Sequence, residues 1–188
     1  MAYVSVLFKE KMPATMSFHN INHVFEVLHA AELIAAESHV SETELTIVKL
    51  AAIFHDCGYV ETYTGHEEAS MAIARVFLQQ NNFPETMIKE VEKAILATKL
   101  PQRPESLCAE ILCDADLFHF TRPDYPAYEK ALKSEHSAYL GIRYTDAEWD
   151  KKNSEFMAGH HYFTKYGKEI LQQFKQINEE RIKARLAS

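Results

Sequence analysis

Cysteine is scarce: Cys57, Cys108 and Cys113 are an odd number and include no CxxC pair, which leaves neither a disulfide framework nor a thiolate metal clip to expect. No apolar run approaches the roughly 18 residues of a membrane span; even IVKLAAIF contains Lys49 and ends against His55. The segment MAYVSVLFKEKM lacks the apolar core and cleavage site of a secretion signal. Positive charge is also short, with 20 Lys and Arg against 27 Asp and Glu and a net charge of −7. That balance argues against a nucleic-acid partner, while a local basic pocket for one small phosphate stays open. A reduced, cytoplasmic chain with no membrane partner is expected. Its 188 residues suit a single domain, 1–188, with a real core.

Strand alternation is missing as well, and helical periodicity runs nearly throughout, so the expected class is all-α. Val24, Val27, Leu28, Ala31, Ile34 and Ala35 recur at the spacing of one buried helical face. SETE, Ser41 to Glu44, has the pattern of a capping box ahead of ELTIVKLAAIFHD, a helix apolar on nearly every side and therefore expected at the centre. Further faces are predicted through Ala69, Ala72, Ile73, Val76 and Phe77, through Ile88, Val91, Ile95 and Leu96, and through Leu107, Ile111 and Leu112. LPQRPES and TRPDYP read as breaks. A second capping box, TDAE at Thr145 to Glu148, precedes the C-terminal region, where Ile170, Phe174 and Ile177 are expected to face inward.

Chemistry concentrates where this pattern is violated. FHNINHVFEV places His19 and His23 four residues apart, one helical turn if both lie on the helix. His55 and Asp56 follow AAIF at the end of the most apolar helix, where an ionised carboxylate is costly unless something positive compensates it. A divalent cation suits that demand, since imidazole nitrogen and carboxylate oxygen both bind such ions. AEILCDADLF repeats the anomaly with Asp114 and Asp116. The plain alternative for His55 and Asp56 is a capping histidine beside a solvent-facing aspartate.

His23, the His55-Asp56 doublet and Asp116, in that order on separate helices, resemble the HD superfamily of metal-dependent phosphohydrolases. The resemblance covers about residues 18–120 and implies a helical bundle that additional C-terminal helices, 121–188, complete. It implies His23, His55, Asp56 and Asp116 as ligands of one divalent ion (Mn, Mg, Fe, Ni or Zn); Asp114 is the alternative to Asp116 as ligand, or else an outer partner. FHNINHVFEV is also similar to the YHNxxHxxxV signature of cyclic-nucleotide phosphodiesterases, in which the first histidine is a general acid; this makes His19 the candidate proton donor. Those enzymes continue HDxxHxG, whereas this chain reads HDCGYVE. His66 resembles the first of two extra histidines that hold a second metal in another branch, but AILATK offers Thr98 and Lys99 where the second would stand. One tightly held ion, with a weaker second one bridged by Asp56, is therefore expected, and di-iron oxygenase chemistry is not.

The resemblance implies hydrolysis of a small phosphorylated substrate, a nucleotide among the candidates, by metal-activated water, with His19, Asp56 and His66 in catalytic roles. Lys99, Arg75, Arg122 and Lys130 are the candidate phosphate-binding cations. A cyclic-nucleotide phosphodiesterase and a metal-binding sensor without turnover are the alternatives. His160 and His161 are expected to be structural or at the pocket mouth, and Tyr125, Tyr128, Tyr139, Tyr144, Trp149 and Tyr162 to form one packed aromatic cluster. Oligomeric state is open, with a homodimer through the aromatic C-terminal half as one option.

Overall fold

The computed structural model describes residues 1–187. Among them are nine α-helices and no strand: α1 Ala2–Lys11, α2 Ile21–Glu37, α3 Glu42–Phe54, α4 His66–Gln80, α5 Glu85–Ala97, α6 Leu107–Asp116, α7 Tyr125–Tyr139, α8 Asp146–Gly159 and α9 Gln172–Leu186. Two 3₁₀ turns, Cys57–Val60 and Leu117–Thr121, follow α3 and α6, and a π turn, Gly167–Leu171, leads into α9. No described helix is long and apolar enough to cross a membrane.

Local chemistry explains the starts. Asn20 caps α2 by accepting from the Asn22 amide, and Ser106 caps α6 through the Ala109 amide. Both expected capping boxes form, Ser41 with Glu44 on α3 and Thr145 with Glu148 on α8. α3 packs against α2, α4, α5 and α6, so the most apolar helix is central. Ala30, Ala31, Ala51 and Ala52 are almost fully buried. Leu117, Phe120, Tyr125, Met157 and Ile182 form a second, smaller core under α7, α8 and α9.

Several faces differ from the periodic expectation. On α4, Ala72 and Val76 are exposed, and Glu67, Ser70, Ala74 and Leu78 are buried instead. The reason is a close backbone approach: the Gly58 amide donates to Ser70 Oγ at 2.7 Å, which turns that stripe of α4 inward. Leu96 and Leu107 are exposed, while Ala94, Ala97 and Cys108 take the inner positions. Ile170, Phe174 and Ile177 all face outward. The buried stripe of this last helix runs through Leu171, Lys175, Asn178 and Ile182. It is partly polar because it serves carbonyls: Lys175 Nζ donates to Met157 and His160 oxygens at 2.9 and 2.6 Å, and Asn178 Nδ2 to Phe120 and Arg122 oxygens at 2.8 and 2.9 Å. A pattern built on apolarity alone misses a helix held by such bonds. Helix α1, for which the sequence carried no expectation, buries Val4 and Phe8.

Gly58 sets how closely the turn after α3 meets α4. A Cβ there would stand 2.0 Å from the His66 carbonyl oxygen and 2.7 Å from the Ser70 amide nitrogen, both backbone atoms. Gly58→Ala is expected to cost about 1–3 kcal/mol through overpacking, read as a lowered midpoint in urea or thermal unfolding. An unchanged midpoint would contradict the close approach.

Candidate metal centre

Three helix ends converge on one point. His23 lies in the first turn of α2, His55 is the C-cap of α3 with Asp56 next, and Asp116 is the last residue of α6. His23, His55 and Asp56 are buried, and each offers a ligand atom within 4.8 Å of the others. His23 Nε2 stands 3.4 Å from Asp56 Oδ2 and 3.3 Å from Asp116 Oδ1; His55 Nε2 stands 3.3 and 3.6 Å from the same two oxygens.

The donor set fits a divalent ion. His55 Nδ1 donates to the Ala52 carbonyl at 2.8 Å, which leaves Nε2 as the nitrogen with the lone pair when the ring is neutral. His55 Nε2 and Asp56 Oδ2 are both buried without a hydrogen-bond partner among the described residues. Two ligands at about 2.1 Å from one tetrahedral ion lie about 3.4 Å apart, matching the separations across this cluster. Burial opposes the charge on Asp56 and Asp116, yet the facing histidines outweigh it and hold both carboxyls well below the usual range. Burial likewise opposes charge on His55, and the two carboxylates overcome it and raise its pKa. The cluster therefore calls for positive charge at its centre.

His19 does not lie on α2. It precedes the cap Asn20, so the single-turn spacing does not apply, although its ring centroid is still 5.8 Å from that of His23. Its position comes from Glu135 on α7, which is fully buried: Glu135 accepts from the Phe18 and His19 amides at 2.6 and 2.9 Å and from His19 Nδ1 at 2.6 Å. Burial opposes the His19 imidazolium, but the Glu135 bond and the Asp56 charge prevail and raise its pKa. Tyr59 sits between two imidazoles, stacked 4.2 Å from His19 and 3.8 Å from His66. His66 Nε2 is 3.6 Å from Asp56 Oδ1. Glu135 and Tyr59 carried no signal in the sequence, because one is over a hundred residues from His19 and the other lies in an unremarkable turn.

A cavity of about 390 Å³ opens on this cluster, lined by His19, Asp56, His66, Asp116, Thr98 and Lys99 on the metal side. Lys99 pairs with Glu68. Arg75 does not line this cavity: Glu85 and Glu92 hold it between α4 and α5. Arg122 pairs with Asp124 and lines a neighbouring groove that also reaches His23 and Asp116, and Lys130 is exposed on α7. Asp114 is not an outer partner of the cluster. It accepts from the Phe163 and Thr164 amides and from Thr164 Oγ1, tying the segment before α9 to α6. His160 is buried against Phe120 and Tyr162, and His161 is exposed; neither lines the cavity. The aromatic residues split. Tyr125 and Tyr128 wall the cavity, Tyr139 stacks on Tyr63, Tyr144 and Trp149 meet beside His136, and Tyr162 is buried elsewhere with its hydroxyl donating to the Leu117 carbonyl.

The model of the HD domain family matches residues 20–121, just over half of the chain. The chain therefore belongs to the HD domain family, and with the buried His23, His55 and Asp56 it is classed as a metal-dependent HD-domain hydrolase. Seventeen chains of solved structures match, among them a predicted HD superfamily hydrolase from an uncultured Thermotogales bacterium. That crystal structure superposes with a TM-score of 0.68 at 20% identity, covering 99% of this chain and 90% of the other, and establishes a common fold. No curated protein matches the sequence.

Because a preformed set of donors binds an ion in the folded chain only, a divalent ion at 100 times its Kd should stabilise the protein by about 2.7 kcal/mol. Thermal unfolding with and without chelator reads this shift, and Asp56→Ala should abolish it. An equal shift in that variant would place the ion elsewhere.

Proposed function

We propose that the chain hydrolyses a small phosphate monoester. The observation that carries this reading is the pairing of a buried His/Asp donor set with a histidine, His19, whose far nitrogen is held by Glu135 and whose near nitrogen faces the cavity side at Tyr59. His23, His55, Asp56 and Asp116 are the proposed ligands. A divalent ion, when bound, supplies Lewis acidity toward phosphoryl oxygens and lowers the pKa of water.

The chain's own groups supply the rest. As imidazolium, His19 donates a proton from Nε2 to the departing oxygen, and Glu135, accepting from Nδ1, favours that charged form and fixes the ring's orientation. Tyr59, packed between the two rings, limits the rotation of His19 and His66. Asp56 presents Oδ1 toward His66, a pair suited to orienting the attacking water. Lys99 offers fixed charge at the rim for a phosphate oxygen. What supports reading 1–188 as one functional unit is that α7 contributes both Glu135 and cavity wall to a site whose other residues lie before residue 121. A nucleotide substrate and a cytoplasmic setting belong to the same proposal, the latter supported by three unpaired cysteines.

The test is phosphate release by metal-loaded protein from a panel of monoesters. His19→Ala should lower kcat about 10²-fold or more, within the range for loss of a general acid. Glu135→Gln removes the negative charge that helps to raise the His19 pKa. An acid must be protonated to act, so activity falls as pH rises through its pKa, and this limb should move to lower pH in the variant. An unmoved limb together with unchanged kcat in both variants would remove His19 from the reaction.

A further inference from the structure

The groove that Arg122 lines has a volume of about 420 Å³ and runs along α2. Phe25, Ala30 and Leu33 of α2 and Phe118 of the Leu117–Thr121 turn wall it, and it reaches His23 and Asp116 of the donor cluster. The acidic and basic groups in the rest of its lining are already engaged: Glu26 accepts from the Tyr128 hydroxyl at 2.9 Å, and Arg122 pairs with Asp124. What the groove offers is an apolar seat.

A complementary edge stands beside it. Ile170, Phe174 and Ile177, at i, i+4 and i+7, form one outward stripe from the π turn into α9. Arg181 continues that stripe by one turn and donates to the Pro123 carbonyl at 3.1 Å, while Asn178 holds the Phe120 and Arg122 carbonyls. The stripe therefore borders the Leu117–Thr121 turn on one side, and the groove borders it on the other. A molecule cannot lay this edge into its own groove, because these bonds fix α9 to the turn between them. A second copy can do so.

Area and charge favour such a pair. Phe25, Leu33, Ile170, Phe174 and Ile177 are each 39–50% exposed. Taking roughly 200 Å² for an aromatic side chain and slightly less for an aliphatic one, these five leave on the order of 400 Å² of apolar surface open. That is the size of the largest patch on a typical monomer, and about half of what each partner gives to a standard interface, before the groove walls are counted. Two chains of charge −7 repel, so they can pair only where acidic groups are few. The stripe has none, and the Glu26 of the groove is hydrogen-bonded.

We propose that two copies of this chain form an isologous dimer in which the Ile170, Phe174 and Ile177 stripe of each lies in the α2 groove of the other. The anchor spacing is that of a helix laid in a groove, and two-fold symmetry makes every contact occur twice. The seated helix covers His23 and Asp116 from the groove side and leaves the cavity lined by His19 open. This pairing does not depend on which ester is hydrolysed.

Sedimentation velocity of the full chain at roughly 50 µM, above the micromolar limit of standard-size interfaces, should show a dimer. Phe174→Glu and Leu33→Glu, at partly exposed positions, should each weaken it about tenfold or more, as loss of an interface anchor does. Val76→Glu, similarly exposed on α4, should leave it intact. Circular dichroism checks that each variant keeps its helices. The seating is read by oxidising a mixture of Leu33→Cys and Phe174→Cys proteins, whose native cysteines are all buried, and a disulfide joining the two variants is expected. A monomeric wild-type chain overturns the inference, as does a dimer that survives Phe174→Glu or is lost equally in Val76→Glu. Phe174→Cys linking to itself in preference to Leu33→Cys would set α9 against α9 and overturn the seating in the groove.

Discussion

Two imidazole nitrogens and two carboxylate oxygens face one another across 3.3–3.6 Å in the interior of the bundle. Two carboxylates facing the same pair of imidazoles would repel each other, and the penalty for a buried ion without compensation is several kcal/mol. A positive charge at the centre attracts all four donor atoms and outweighs that repulsion. The site-forming ends of α2, α3 and α6 can meet only because that charge is provided, by a proton on His55 or by an ion.

The scaffold is arranged around this requirement. Gly58 lets α4 close over the doublet, which brings His66 to Asp56. The C-terminal helices are tied on by the second core and by polar bonds. Asp114 holds the 163–164 segment, Lys175 holds the end of α8, and Asn178 holds the turn after α6. These attachments keep α7 in register with the rest, and α7 carries the glutamate that orients His19. Groups that touch no ligand therefore decide where a proton donor stands.

Much of this was legible in the sequence. The helical class, both capping boxes and the central position of α3 follow from local patterns that the folded chain keeps. His23, His55 and Asp56 were visible because charge interrupted an apolar pattern, and such interruptions need a physical reason. The misread faces share one cause. On α4 and α9 the inner stripe is chosen by Ser70, Lys175 and Asn178 bonding to distant backbone, and apolar periodicity does not register that choice. Asp114 and Asp116 look alike in sequence, and only the placement of Thr164 separates an anchor from a member of the cluster. Glu135 was invisible because its partner is 116 residues away.

The most direct test of this account is anomalous diffraction from a crystal of the protein loaded with manganese or zinc. One peak is predicted within about 2.0–2.3 Å of His23 Nε2, His55 Nε2 and oxygens of Asp56 and Asp116. A peak confined to surface histidines such as His29 or His161, with His23 and His55 unligated, would contradict it.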